Sequence, residues 1–138
     1  MSMETLIAHV DGAARGNPGP SGIGIVLEDA DGKVVKEVAE PLGIATNNVA
    51  EYSALIRALE EARALGCSRI SVITDSELMA RQINGQYRVK TEHLIPLYRR
   101  AIALLSQFET SSVTHTRREN NKHADKLSNL GADKVVMK

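Results

Sequence analysis

Four carboxylates in this 138-residue chain stand where a folded domain seldom places an acid. Asp11 follows an apolar run and opens DGAARGNPGPSG, Glu51 lies near the end of ATNNVAEY, Asp75 lies in SVITDSEL, and Asp125 in RRENNKHADKLSN. Acids gathered by a fold repel one another unless a cation intervenes. Hard carboxylate oxygens select Mg²⁺ or Mn²⁺ over softer metals, and an all-acid set with no cysteine nearby argues against zinc. Each acid taken singly also has an ordinary reading. Asp11 fits an Asx-type turn before glycine. Asn48 and Glu51 match a capping box, in which both satisfy free N–H groups of a helix start. Asp125 falls at the boundary of a helix face, where an acid is usually solvated. Asp75 differs, because Ser76 is already available to cap the helix that follows.

These positions depend on the elements around them. Residues 4–11 read as a strand ended by a glycine-rich turn. Runs 23–29 and 33–42 flank Ala30-Asp31-Gly32, a strong hairpin signal. From Asn48 the period becomes helical, with Tyr52, Leu55, Ile56, Leu59 and Ala62 on one face and Gly66 at the stop. A strand at 69–75 precedes a helix at 76–86 capped by Ser76. A longer helix at 93–108 carries Pro96 in its first turn, where proline is tolerated. A strand at 111–116 and a final helix at 120–132, capped by Asn120 or Asn121, complete the chain. This order predicts one layered α/β unit over residues 1–138, a hairpin-built sheet extended by parallel strands with helices on its faces. Asp11 and Asp75 then end two parallel strands, at the edge where ligand sites of open α/β sheets gather.

Composition narrows the class. At 43% hydrophobic the chain suits a single core. The lone Cys67 cannot form an internal disulfide, no apolar run approaches the roughly 20 residues of a membrane helix, and no signal pattern opens the sequence. A soluble cytoplasmic protein without membrane contact is expected. The 17 basic and 17 acidic residues cancel, yet residues 1–80 hold 6 Lys/Arg against 12 Asp/Glu, and residues 81–138 hold 11 against 5. Strong nonspecific attraction to a polyanion is therefore disfavoured, while a local basic track stays open.

In order and approximate spacing, DGAARGNPGPSG, TNNVAEY, TDS and RRENNKHAD resemble the motifs of type 1 ribonucleases H, over essentially the whole chain. The resemblance implies a ribonuclease H-like three-layer α/β fold: three antiparallel strands, then two parallel, in a five-stranded mixed sheet flanked by helices. It implies an endoribonuclease acting on the RNA strand of RNA–DNA hybrids and giving 5′-phosphate and 3′-hydroxyl ends. Asp11, Glu51, Asp75 and Asp125 would be the catalytic acids, holding two Mg²⁺ or Mn²⁺ ions with substrate. The backbone of Gly12, Ala13, Ala14 and Arg15, with Asn17 and Asn48, would meet the 2′-hydroxyls and minor groove. Thr46 and Asn47 would grip a DNA-strand phosphate, although all these residues also fit turn and cap roles.

Two departures from the family pattern carry expectations of their own. Some members have a basic, tryptophan-containing protrusion after the Asp75 helix, whereas here NGQYRVKTEH passes straight on, as in a shorter subgroup. Hybrid affinity would then rest on Arg81, Arg88, Lys90, Arg99 and Arg100. Many members also present a histidine before Asp125; in shorter members an arginine at the place of Arg118 stands in, so Arg118 is the expected catalytic assistant. His115, read as a strand residue, and His123 remain alternatives. A monomer with no obligate protein partner is expected. The competing class is a nonenzymatic hybrid-binding module of the same fold, whose mark would be loss of an acid; all four are present.

Overall fold

Strands β1 (Thr5–Ala14), β2 (Gly19–Asp29) and β3 (Val34–Ala45) form an antiparallel meander. Asp29 builds the turn between the last two. Its Oδ1 accepts from the N–H groups of Asp31 and Lys33, both at 2.9 Å, and Gly32 adopts φ 83°. Helix α1 (Asn47–Ala64) then crosses to β4 (Arg69–Thr74), which pairs parallel to β1. Helices α2 (Glu77–Ile83) and α3 (Ile95–Leu105) lead to β5 (Thr110–His115), parallel to β4, and α4 (Lys122–Val136) follows. The strand order β3-β2-β1-β4-β5 is the expected mixed sheet, three strands antiparallel and two added in parallel. The structure, a computed structural model, describes residues 3–136.

Alternation along β1 sorts the two faces. Leu6, Ala8 and Val10 are fully buried with Tyr52, Leu55, Ala58 and Leu59 of α1 and Ala101 of α3 in one apolar core. Burying each of the larger side chains stabilises by about 1.5–3 kcal/mol. Asp11 belongs to the opposite face, where α4 packs. That helix lies unusually close to the sheet because glycine paves the contact. A Cβ at Gly24 would stand 2.1 Å from Ala124 O, one at Gly22 2.2 Å from Ala132 N, and one at Gly131 2.3 Å from Glu40 O.

Several expectations need correction. β1 does not end at Asp11 but runs to Ala14, because Gly12, Ala13 and Ala14 keep partners in Ile23, Gly22 and Ser21. Asn48 does not cap α1. Thr46 does, its Oγ1 accepting from Val49 N–H at 3.2 Å, while the Glu51 carboxylate accepts from another element altogether. A 3-10 turn, Glu92–Leu94, precedes α3, with Pro96 in the first turn as expected. Asn121 precedes α4, yet its side chain donates to Val10 O at 2.9 Å instead of capping the helix. Among the described residues no helix is long and apolar enough to cross a membrane.

Candidate active site

The parallel ladder between β1 and β4 ends at Val10 and Thr74, so Asp11 and Asp75 come next on adjacent strands. Asp75 is free of capping duty. Ser76 caps α2 through Met79 N–H, and Thr74 Oγ1 accepts from Ser76 N–H at 3.0 Å. Glu51 reaches the same spot from the first turns of α1. Gly12 permits this, since a Cβ there would lie 2.2 Å from the Ala50 carbonyl carbon and 2.4 Å from Glu51 N. At that separation Gly12 N–H donates to Glu51 Oε1 at 2.7 Å. The oxygens of Asp11, Glu51 and Asp75 consequently lie within 4.8 Å of one another.

Burial sets the electrostatics of the cluster. Asp11 and Glu51 are only 4% and 5% exposed. Burial, reinforced by the charges of Asp75 and Asp125, pushes the Asp11 carboxyl up to about 8, against a lowering by the Ser128 hydroxyl. Burial and then the Asp11 charge hold Glu51 well above its ordinary range, with Gly12 N–H opposing. A divalent cation would reverse both shifts, and three hard oxygen donors fit such an ion.

Asp125 stands apart from the trio. It lines the same cleft, about 510 Å³ in volume, half-buried on its wall. Its Oδ1 lies 3.5 Å from Arg118 Nη2 and 3.5 Å from Asn129 Nδ2. The Arg118 guanidinium is exposed at the rim, in the 3-10 turn Arg118–Asn120.

Of the residues expected to meet substrate, Gly12, Ala13, Ala14, Arg15, Asn47 and Asn48 line the cleft. Arg15 also forms an ion pair with Asp133 and donates to Asn129 O at 3.2 Å, tying the β1–β2 turn to α4. Asn17 and Thr46 brace the start of α1: Asn17 Oδ1 accepts from Asn47 N–H at 3.1 Å, and Thr46 caps. The two histidines lie elsewhere. His115 sits on β5 in a separate depression with Arg81 and Asn84, and His123 bonds Glu37 of β3 at 3.0 Å. Among the basic residues, Arg81 pairs with Glu77 and Arg100 with Glu60, whereas Arg88 and Arg99 share a depression with Tyr87 and Tyr98.

Sequence reasoning assigned no role to Ser128, and to Asn121 only that of a helix cap. Ser128 Oγ donates to Asp11 Oδ2 at 2.5 Å. The available signal was a small polar residue on the inner face of the last helix, one turn beyond Asp125.

The family model described as reverse transcriptase-like matches residues 9–131. A ribonuclease H of Methylococcus capsulatus is 32% identical, over 96% of this chain and 92% of its own length. The crystal structure of ribonuclease H1 from the archaeon Halobacterium salinarum superposes with TM-score 0.91 at 42% identity, covering 94% of this chain and 98% of that one. LC11 ribonuclease H1, solved in complex with an RNA/DNA hybrid, gives 0.90 at 40% identity, with coverage of 95% and 99%. The chain spans only 35% of the length of a bifunctional Mycobacterium tuberculosis protein that it matches at 42% identity. With its motifs in order, its sheet in the same topology and its acids converging in one cleft, the chain belongs to the type 1 ribonuclease H family.

Proposed function

We propose that residues 1–138 act as one catalytic unit, an endoribonuclease hydrolysing the RNA strand of RNA–DNA hybrids to 5′-phosphate and 3′-hydroxyl ends. One observation carries the reading: three carboxylates with oxygens within 4.8 Å of one another, lining an open cleft at the end of two parallel strands. Their hard oxygens suit Mg²⁺ or Mn²⁺. Asp11, Glu51 and Asp75 would hold the metal, with Asp125 contributing from the wall. Two such ions, when bound, supply Lewis acidity at the scissile phosphodiester and charge relief at the 3′ leaving oxygen.

The chain's own residues do the rest. Gly12 N–H occupies Glu51 Oε1 and orients that carboxylate toward the cluster. The exposed Arg118 guanidinium, beside Asp125, faces the cleft where phosphate charge develops and offsets it. Backbone groups of Gly12 to Arg15, with Asn47 and Asn48, line the path on which an RNA strand would lie, and a 2′-hydroxyl can both donate to and accept from such groups. Asn17 and Thr46 act at one remove in this reading, by holding the start of α1. The enzyme would work as a monomer in the cytoplasm.

End-labelled RNA presented as hybrid, RNA duplex, single strand and alongside DNA, each with Mg²⁺, Mn²⁺ or EDTA, tests the proposal. Cleavage of the hybrid alone, abolished by EDTA, is expected. Asp11→Asn or Asp75→Asn should remove cleavage while retaining the fold; normal cleavage by either variant would refute the assignment. Hybrid binding without cleavage under every metal condition would point instead to the nonenzymatic class.

A further inference from the structure

Ser128 is fully buried in the middle of α4, and its one hydroxyl proton lies within reach of two acceptors, at the distances of a shared, three-centre bond. One is Asp125 main-chain O at 2.8 Å, the ordinary back-bond of a helical serine. The other is Asp11 Oδ2 at 2.5 Å, 117 residues away in sequence. This second contact exists only because α4 sits so close to the sheet. Asp11 pairs with Gly24 across the β1–β2 ladder, and a Cβ at Gly24 would lie 2.4 Å from Ser128 N. The chain just before that helix is clamped one residue before Asp11, where Asn121 Nδ2 donates to Val10 O at 2.9 Å. Ser128 is thus delivered to Asp11 by rigid packing on both sides.

Once ionised, an aspartate beside Glu51 and Asp75 has an electrostatic incentive to turn away from them, since like charges disfavour one another. A fixed donor on the α4 side removes that freedom. Resting on the carboxylate-site reading above, we propose that Ser128 is a positioning residue for the cation site: by holding Asp11 Oδ2, it presents Oδ1 to a divalent ion shared with Glu51 and Asp75. The hydroxyl itself touches neither ion nor substrate. Hydrogen-bond partners of metal-ligating groups typically govern affinity by about 10–100-fold, and a neutral hydroxyl belongs near the lower end.

Isothermal titration of the metal-free protein with MnCl₂ tests this, using wild type, Ser128→Ala and Asp11→Asn, each first shown to share one far-UV circular dichroism spectrum. Ser128→Ala keeps the Cβ and removes only the hydroxyl. Its Kd for Mn²⁺ should rise roughly tenfold, and the half-saturating Mn²⁺ concentration in hybrid cleavage should rise by the same factor, with kcat at saturating metal within about twofold of wild type. Packing damage would instead lower kcat at saturation, and that result overturns the positioning role. An unchanged Kd in Ser128→Ala, beside lost binding in Asp11→Asn, also overturns it while leaving the cation site standing. Unchanged binding in Asp11→Asn would remove the site and the inference together.

Discussion

Gly12→Ala should damage stability and catalysis together, because one missing Cβ sets the separation of β1 from α1. The added methyl would begin 2.2 Å from the Ala50 carbonyl carbon, 2.3 Å from Ala50 O and 2.4 Å from Glu51 N, all backbone atoms. Ordinary contact begins near 3.4 Å, so strand and helix must part by roughly 1 Å. Overpacking of that kind costs about 1–3 kcal/mol. The bond from Gly12 N–H to Glu51 Oε1 stretches with it, and loss of a hydrogen bond to a charged group costs about 1.5–3 kcal/mol. Summed to roughly 2.5–6 kcal/mol, against an unfolding entropy near 2.1 cal/mol/K per residue, the melting temperature should fall by about 9–21 °C. A displacement near 1 Å of Glu51 from its partners should also cost about 100-fold in kcat. Differential scanning calorimetry and a hybrid-cleavage assay measure the two effects. A variant melting within about 3 °C of wild type, with cleavage unchanged, would refute the claim that Gly12 sets this distance.

Metal-free protein should lose stability as pH rises from about 5 to 8. Folded Asp11 holds its proton up to about 8 against an ordinary 3.8, so the native state binds more protons than the unfolded chain in between. Its stabilising contribution is complete below the unfolded value and lost as pH rises through the folded one, and Glu51 acts in the same direction. Melting temperature against pH, with and without Mg²⁺, should show a decline that the ion flattens; a metal-free curve rising over that range would contradict the burial account. Thr46→Ala should cost about 1 kcal/mol in a urea melt through loss of the α1 cap, whereas Asn48→Ala should stay within about 0.5 kcal/mol. The reverse order would restore Asn48 as the cap.

The sheet was legible because its signals are local. Asp31-Gly32 between two apolar runs predicts the β2–β3 hairpin, and a strand-helix-strand crossover makes β4 parallel to β1. The misreadings arise where a distant partner outbids a local preference. Gly12 looks like a strand breaker, but Ile23 continues the ladder beside it. Asn48 and Glu51 spell a capping box, but Gly12 N–H takes the carboxylate that the box requires. Asn121 has the right chemistry for a cap and spends it on Val10 O. The last helix, expected to end at 132, continues to Val136, with Gly131 pressed against Glu40 O. For the site, sequence positions identified the acids, while the offset of Asp125 and the hydroxyl beside Asp11 depend on how a helix seats on glycine, a tertiary matter.

The long span between Asp11 and Ser128 also orders events in time. At a synthesis rate of about 5–20 residues per second, roughly 6–23 s separate the emergence of the two residues from the ribosome. In that interval the β1–β3 meander can form, but the face of β2 that α4 covers is open, and Asp11 has no neighbour on that side. A nascent chain that stops short of α4 therefore carries Asp11, Glu51 and Asp75 with β4 in place, but without the helix that meets Asp11 from the other side. Premature termination before α4 should leave Gly22, Gly24 and Asp11 uncovered on one face of the sheet.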